Sequence, residues 1–455
     1  MLINFKFYNN FTIDYIITKF MSYANFKKNS YLIYTLIILT LFFFFFGFFN
    51  NEIPMGSGGQ NGDINYVKKS LKIFSDNNFL NSINLFKETS NRPPLIYILN
   101  KYLNPYSGDI EIYRLFVFCI SLIFPIFLFL ALKEKFKFTN KYYLLLITSL
   151  VFLNPIYRNS SYWALEENYA YAAFFLSLFI FEKINTLKNN QLEIKNKHLI
   201  ILSLISSLCV YFDQKFVIVP LYFFLNLFFS KIGIRNKINL FLFYFLFSIP
   251  FLYLIYLWNG IFPTNIYHIG KVYHLENLIY TPSILAFCLF PIIFLESDFS
   301  LFKIKKILLN KKFLFYIFLI FLIIIYFNSF SDNQFLNNYN DGGGIMKKIS
   351  HILFIDITYK SIFVYFSFLI SLIIIYYFIE NNIINFLIIL YFLFFSVFAK
   401  PLFQEYFDPF ITYVSIFFFI KRYDFNFKKI MFYFFYTLIY LLGSITYYSY
   451  LFNLN

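Results

Sequence analysis

Apolar runs follow one another along this chain with few charges inside them. Tyr31 to Phe49, Phe313 to Phe327 and Ser361 to Ile379 each approach or reach the roughly 20 residues that cross a hydrocarbon core. One such run could be a buried helix of a soluble protein, but a long succession of them exceeds what any soluble core can absorb. Charged residues make up 13% of the chain, about half the share usual in soluble domains. The sequence is written for lipid.

Hydropathy punctuated by charge predicts thirteen spans, centred near residues 40, 122, 149, 175, 206, 224, 249, 288, 321, 370, 391, 415 and 440. Those near 206, 224 and 415 are short. With the N-terminus inside, the inner segments carry Lys6, Lys19, Lys27 and Lys28, then Lys133, Lys135, Lys137 and Lys141, then Lys183, Lys188, Lys195 and Lys197. Lys231, Arg235 and Lys237 follow, then Lys303, Lys305, Lys306, Lys311 and Lys312, and last Lys421, Arg422, Lys428 and Lys429. These are well over half of the 38 basic residues, although the longest loops lie on the other side. The formal net charge of +15 is therefore mostly a topology signal, and a basic surface against anionic lipid explains it with no nucleic-acid partner.

The first thirty residues mix charge with aromatics and lack a cleavage site, so the first span is expected to remain as an anchor. An odd number of spans then leaves the C-terminus outside. Cys119, Cys209 and Cys288 all fall in predicted spans, where they read as small apolar packing residues. The expected fold is all-α and polytopic, a single membrane domain over 1–455.

With this topology the acids gather on one side. Asp63, Asp76, Glu88, Asp109 and Glu111 lie in the first outer loop, and Glu166 and Glu167 in the second. Asp213, Glu276, Asp332, Asp341, Asp356, Glu405 and Asp408 lie in later outer segments. Several stand within a few residues of a span end, where charge costs least yet must still be satisfied.

The first outer loop, residues 50–110, is too patterned to be a tether. From Asp63 to Phe79 the apolar residues Ile64, Val67, Leu71 and Phe74 recur at helical spacing, predicting an amphipathic helix on the membrane surface. Pro93 and Pro94 suit the first turn of a second helix, Leu95 to Leu103. Arg92 then stands at the positive end of that helix, where an anion is drawn in. It serves equally well as an anchor to lipid headgroups.

The order of short motifs carries a resemblance. Gly62-Asp63-Ile64-Asn65-Tyr66 follows the first span, then come Arg92-Pro93-Pro94-Leu95-Ile96-Tyr97 and Tyr113-Arg114-Leu115 at the second span. Asn154-Pro155 is followed by Arg158 and Trp163-Ala164-Leu165-Glu166-Glu167-Asn168 in the second outer loop. This series resembles the start of the GT-C glycosyltransferases, which use polyprenyl-phosphate sugars. It departs from the commonest pattern at Ile64, where a second acid usually stands. Trp258-Asn259-Gly260 with His268 and His274, Ser331-Asp332-Asn333-Gln334, and Gln404-Glu405-Tyr406-Phe407-Asp408-Pro409 are similar to stretches of the dolichyl-phosphate-glucose alpha-1,2-glucosyltransferases, without that branch's arginines or its D-N-R-H-Y histidine.

The resemblance implies Asp63 as the catalytic carboxylate and Glu166 or Glu167 as a second acid. In such chemistry a carboxylate takes the proton of an acceptor hydroxyl, and preplaced cations stabilise the departing lipid phosphate. Arg92, Arg158, Lys215 and Lys271 are the outer-rim candidates, with His268, Glu405 and Tyr406 as further substrate contacts. No nucleotide-binding glycine pattern is present, which suits a lipid-phosphate donor because its leaving group needs no nucleotide. His268 and His274 flank Lys271 at a spacing unlike a metal-ligand pair on a helix. No metal set or cofactor is read from the sequence, and the metal requirement stays open.

Asp341-Gly342-Gly343-Gly344 fits a flexible turn better than a phosphate cradle. The implied partners are a polyprenyl-phosphate sugar, a lipid-linked or glycan acceptor and membrane lipids. The implied setting is a bacterial plasma membrane, with the endoplasmic reticulum as the alternative. A lipid-linked oligosaccharide flippase or other transporter should carry charges along the middle of its spans, and here they sit at the ends. A polysaccharide polymerase or ligase usually carries its large loop late, and here it is first.

Overall fold

A computed structural model describes residues 30–453 except 57–58, 60–61, 91, 104–108, 261–273, 276, 298, 312, 316, 319–321, 323–341, 380–381 and 400–401. The described chain is all-α and contains no strand, only isolated bridges such as Gly342 with Leu402. In chain order the helices are α1 Ser30–Phe49, α2 Asp63–Asp76, α3 Phe79–Phe86, α4 Leu95–Leu103, α5 Ile110–Ser121, α6 Phe124–Lys135, α7 Lys141–Ser149, α8 Pro155–Tyr162, α9 Glu167–Asn189 and α10 Asn196–Phe212. They continue as α11 Ile218–Phe228, α12 Ile234–Trp258, α13 Asn277–Leu295, α14 Leu301–Leu308, α15 Gly344–Leu353, α16 Ile357–Ile379, α17 Ile383–Val397, α18 Phe410–Phe418 and α19 Phe427–Asn453.

Among the described residues seven stretches are long and apolar enough to cross a membrane: α1, α5 with α6, α9, α12, α13, α16 and α19. Lys141–Leu153, Asn196–Phe212, Gln214–Phe228 and Ile383–Val397 are apolar but shorter. The predicted span near 415 is the nine-residue α18, buried at every position, and more than half of the run near 321 lies outside the described residues. A nine-residue helix rises only about 14 Å, so α18 is a core plug and not a full crossing by length.

Burial separates inner from outer helices. Of α12's 25 residues only Leu240, Leu254 and Trp258 are buried, as expected of a helix at the lipid edge. α13 is the opposite, buried along most of its length and packed against α15, α16, α17, α18 and α19. It carries Pro282 and Pro291, each of which removes a helical hydrogen bond. In lipid a freed carbonyl needs another donor. Pro291 leaves the carbonyl of Phe287 without its partner four residues on, and the Tyr436 hydroxyl of α19 donates to that oxygen at 2.7 Å.

The loop between α1 and α5 folds into α2, α3 and α4. The predicted apolar face of α2, Ile64, Val67, Leu71 and Phe74, is the face it buries. Phe74 packs edge-on to Phe86 of α3 and parallel to Tyr97 of α4, with ring centroids 5.5 and 6.1 Å apart. α4 covers the predicted residues, but Pro93 and Pro94 precede it instead of occupying its first turn. The Pro94 carbonyl accepts from Tyr97 and Ile98 N–H, so the prolines set the entry to the helix.

Candidate functional site

The segment between α7 and α9 brings its acids inward because of one sharp turn. Asn154 caps α8 through hydrogen bonds from Ile156 and Tyr157 N–H at 3.0 and 3.1 Å. α8 is buried along its whole length and ends at Trp163. Ala164 takes the left-handed backbone, φ 57°, uncommon for a residue with a Cβ. The reversal starts α9 at once, with Glu166 as its N-cap and Glu167 as its first residue. Both carboxylates lie at the positive end of a helix dipole, which favours their charge.

Arg92 is the hub. Its Nη2 lies 2.9 Å from Glu167 Oε1 and 3.6 Å from Glu405 Oε1, and its Nη1 is 3.5 Å from Glu166 Oε1. Burial works against the guanidinium charge, yet Glu167, Glu166, Asp213 and Glu405 together hold its pKa well above the ordinary arginine value. Lys215 enters from the turn between α10 and α11, 3.1 Å from Glu167 Oε1 and 3.4 Å from Asp213 Oδ2, and donates to the Glu405 carbonyl at 2.9 Å. Tyr391 of α17 fixes that turn by donating to the Lys215 carbonyl at 2.8 Å.

Tyrosines complete the wall. The Tyr66 hydroxyl donates to Glu166 Oε1 at 3.0 Å and the Tyr97 hydroxyl to Glu166 Oε2 at 3.1 Å. Burial first and Glu166 second raise both phenols above their usual range, so they remain donors. Asp63 opens α2, three residues before Tyr66 and therefore on the same helix face. It is 9% exposed, and Asn159 of α8 donates to its Oδ2 at 2.9 Å.

Glu405 sits in a short turn before α18 with Tyr406 beside it. Burial pushes its pKa up to about 8, and the charges of Glu167 and Asp63 add to the rise while Arg92 and Lys215 oppose it. It keeps its proton at neutral pH, next to carboxylates that Arg92 and Lys215 hold by ion pairs. Asp408, four residues from Gln404, accepts two hydrogen bonds at 3.0 Å from Asn154 Nδ2 and joins this turn to α8.

The structure brings together Asp63, Arg92, Glu166, Glu167, Lys215, Glu405 and Tyr406, all expected from the sequence. It adds Tyr66, Tyr97, Asn159 and Asp213. Arg158 is placed elsewhere. Its Nε donates to Glu52 Oε1 at 2.8 Å with Nη2 on the other oxygen, while the Phe152 and Phe43 carbonyls take its remaining donors at 3.1 and 3.0 Å. This is a closed brace between α1 and α8. A side chain on Gly47 would collide with both Arg158 and Glu52. Arg158 is thus a structural cation, because Glu52 satisfies its guanidinium far from the Arg92 hub in sequence.

Lys271 and His268 lie outside the described residues. His274 is buried, and its N–H donates to the Val397 carbonyl at 2.8 Å. The glycine run is a turn, not a phosphate cradle. Gly343 N–H donates to the Leu402 carbonyl at 2.7 Å, and at Gly342 a Cβ would meet that same carbonyl.

The two cations expected from the sequence to meet a phosphate, Arg92 and Lys215, are already matched by acids. Five carboxyl groups, Asp63, Glu166, Glu167, Asp213 and Glu405, surround two basic side chains. What the arrangement offers chemically is a buried carboxylate acceptor, Asp63, and a protonated carboxyl, Glu405, in one cluster, the pattern of an acid–base site. Among the described residues no three His, Cys, Asp or Glu side chains are grouped to hold a metal ion. Comparison with protein-family models, curated proteins and solved structures finds no match.

Proposed function

We propose that this chain is a membrane glycosyltransferase that moves a sugar from a polyprenyl-phosphate donor to a lipid-linked or cell-surface acceptor on the outer face of the membrane. In this reading the seven long helices, the four shorter apolar ones and the stretch near residue 321 cross the membrane, and α18, too short to cross, plugs the core of a GT-C-like domain at the place of the thirteenth predicted span. The N-terminus is cytoplasmic and the C-terminus outside, in a bacterial plasma membrane. The observation that carries the reading is convergence: the 63–66, 92–97, 166–167, 213–215 and 404–408 segments meet around Arg92.

Asp63 takes the proton of the acceptor hydroxyl as that oxygen bonds to the sugar's anomeric carbon, and the bond from that carbon to the lipid phosphate breaks with inversion. Arg92 receives the phosphate. Glu405 makes the longest of its three carboxylate contacts, 3.6 Å, and holds its proton up to about pH 8. An arriving phosphate therefore displaces a neutral group instead of an anion. Arg92 Nη1, which has no hydrogen-bond acceptor among the described residues, is the donor it gains. Glu166 and Glu167 hold the guanidinium in place.

The test is a transfer assay with purified protein and a panel of polyprenyl-phosphate sugars, wild type against Asp63→Asn. Turnover with one donor and its loss in the folded variant are expected. Full activity in the variant moves the base to Glu166 or Glu167, and no turnover with any donor turns the reading to a lipid-linked oligosaccharide transporter.

A further inference from the structure

The Arg92 cluster leaves the lipid tail of its substrate unplaced, and the turn that carries Glu405 borders an apolar groove suited to it. Gln404 ties two helices together there. Its Oε1 accepts from Ile345 N–H at the start of α15 at 3.0 Å, and its Nε2 donates to the Tyr440 hydroxyl of α19 at 2.9 Å. Between α15 and α19 runs a groove of about 310 Å³, lined mainly by apolar and aromatic side chains and floored by Gln404 and Tyr440. Ile352 and Ile439 on its lips are 68% and 70% exposed, so it opens sideways, as a path from lipid must. Met55 closes one end, and the Ser444 hydroxyl donates to the Pro54 carbonyl, which places that end beside the first loop.

One charged side chain lines this groove. Lys348 extends over the Tyr448 ring, 4.4 Å from its centroid, and among the described residues it has no carboxylate at ion-pair distance. Burial lowers its pKa to about 8, with Glu405 pulling it up and Lys347 pushing it down. A cation held in apolar surroundings without an acid is stabilised by an anion that enters. Lys348 has no ion-pair partner among the described residues, unlike Arg92 and Lys215.

We propose that the groove between α15 and α19 seats the isoprenoid end of a single-chain polyprenyl phosphate, with Lys348 binding its phosphate and presenting it toward Glu405 and Arg92. This rests on the glycosyltransferase reading and deepens it by assigning the donor's subsite. A single groove with one cation fits one apolar chain and one phosphate better than a two-chain phospholipid. The aromatic rings of Tyr447 and Tyr448 at the lysine end match the boundary between tail and headgroup.

The test is equilibrium binding to full-length protein in phosphatidylcholine nanodiscs, which needs no turnover. The probes are geranylgeranyl phosphate, geranylgeraniol, inorganic phosphate and phosphatidylglycerol. Lys348→Gln should weaken geranylgeranyl phosphate about tenfold or more, the scale of one lost charge-assisted contact, and leave the alcohol unchanged. Lys348→Arg should restore the phosphate affinity. Ile352→Asp, on an exposed lip, should weaken both prenyl probes. Wild-type affinity in Lys348→Gln overturns the proposal, as does equal binding of inorganic phosphate or phosphatidylglycerol. If Lys348→Gln binds normally while Asp63→Asn abolishes transfer, the groove assignment falls and the enzyme stands. If the groove binds prenyl phosphate but no donor supports transfer, the enzyme reading falls and the site stands.

Discussion

Two charged clusters lie near opposite ends of the helices, and their stoichiometries are reversed. Around Arg92, carboxyl groups outnumber cations. Around Glu296, just beyond α13, cations outnumber acids: Lys421 and Lys303 lie 3.4 and 3.9 Å from Glu296 Oε1, and Lys429 donates to its carbonyl at 3.0 Å. α9 measures the separation, since Glu167 opens it at the acid cluster and Glu182 pairs with Lys135 at 3.6 Å on the basic side. Fifteen residues of helix between them rise about 22 Å. The Glu296 cluster is a set of partly redundant lysines around one acid. The Arg92 cluster has no redundancy, because one guanidinium serves three carboxyl groups and Lys215 shares only one of them. Non-redundant buried charge has a stability cost, and it persists where chemistry uses it.

Removing the hub tests this contrast most severely. Arg92→Met should destabilise the fold by about 3–5 kcal/mol, because Glu166 is left buried without its cation and Glu167 with Lys215 alone. Unfolding in detergent read by thermal melting would show it, and the deficit should shrink at low pH as the carboxylates take up protons. A mild effect would mean that the acids have other partners and the hub is not one.

The pH dependence of stability sharpens the comparison. Glu405 has its folded pKa raised to about 8 from an ordinary 4.5, so between those values the folded state binds the extra proton. Its contribution is complete below about pH 4.5 and is lost as pH rises through about 8. Wild type should lose stability across that window, and Glu405→Gln should flatten the curve and gain on wild type at pH 8.5. Melting temperatures from pH 5 to 9 decide it, and parallel curves would remove Glu405 from the account.

The smallest effect belongs at the other end. Lys421→Met should cost less than Arg92→Met, about 1–3 kcal/mol, since Lys303 remains 3.9 Å from Glu296 Oε1 and Lys429 remains on its backbone carbonyl. A loss as large as that of Arg92→Met would erase the distinction between the clusters.

Much of this was legible in the sequence, for physical reasons. The apolar runs announce helices in lipid, and helical spacing names the buried face of α2 residue by residue. α4 begins where two prolines oblige a chain entry. The acids and cations of the cluster were visible too, because charge next to a span end in a lipid-facing chain calls for an explanation wherever it occurs. Partnership was not visible. Arg158 looks as available as Arg92 until Glu52, 106 residues away in sequence, closes on it. Likewise Asn159 carries no signal until α8 turns it toward Asp63. Lys348 sits in a helix where Lys347 and His351 are basic as well, and its lack of an ion-pair partner among the described residues is a tertiary fact.

The most direct measurement is the rate of sugar transfer by Asp63→Asn relative to wild type, with the donor that the panel selects and with melting temperatures matched. Loss of the base should lower turnover about 10²- to 10⁴-fold while the fold survives. Turnover equal to wild type would contradict the assignment of the Arg92 cluster as the reacting site with Asp63 as its base.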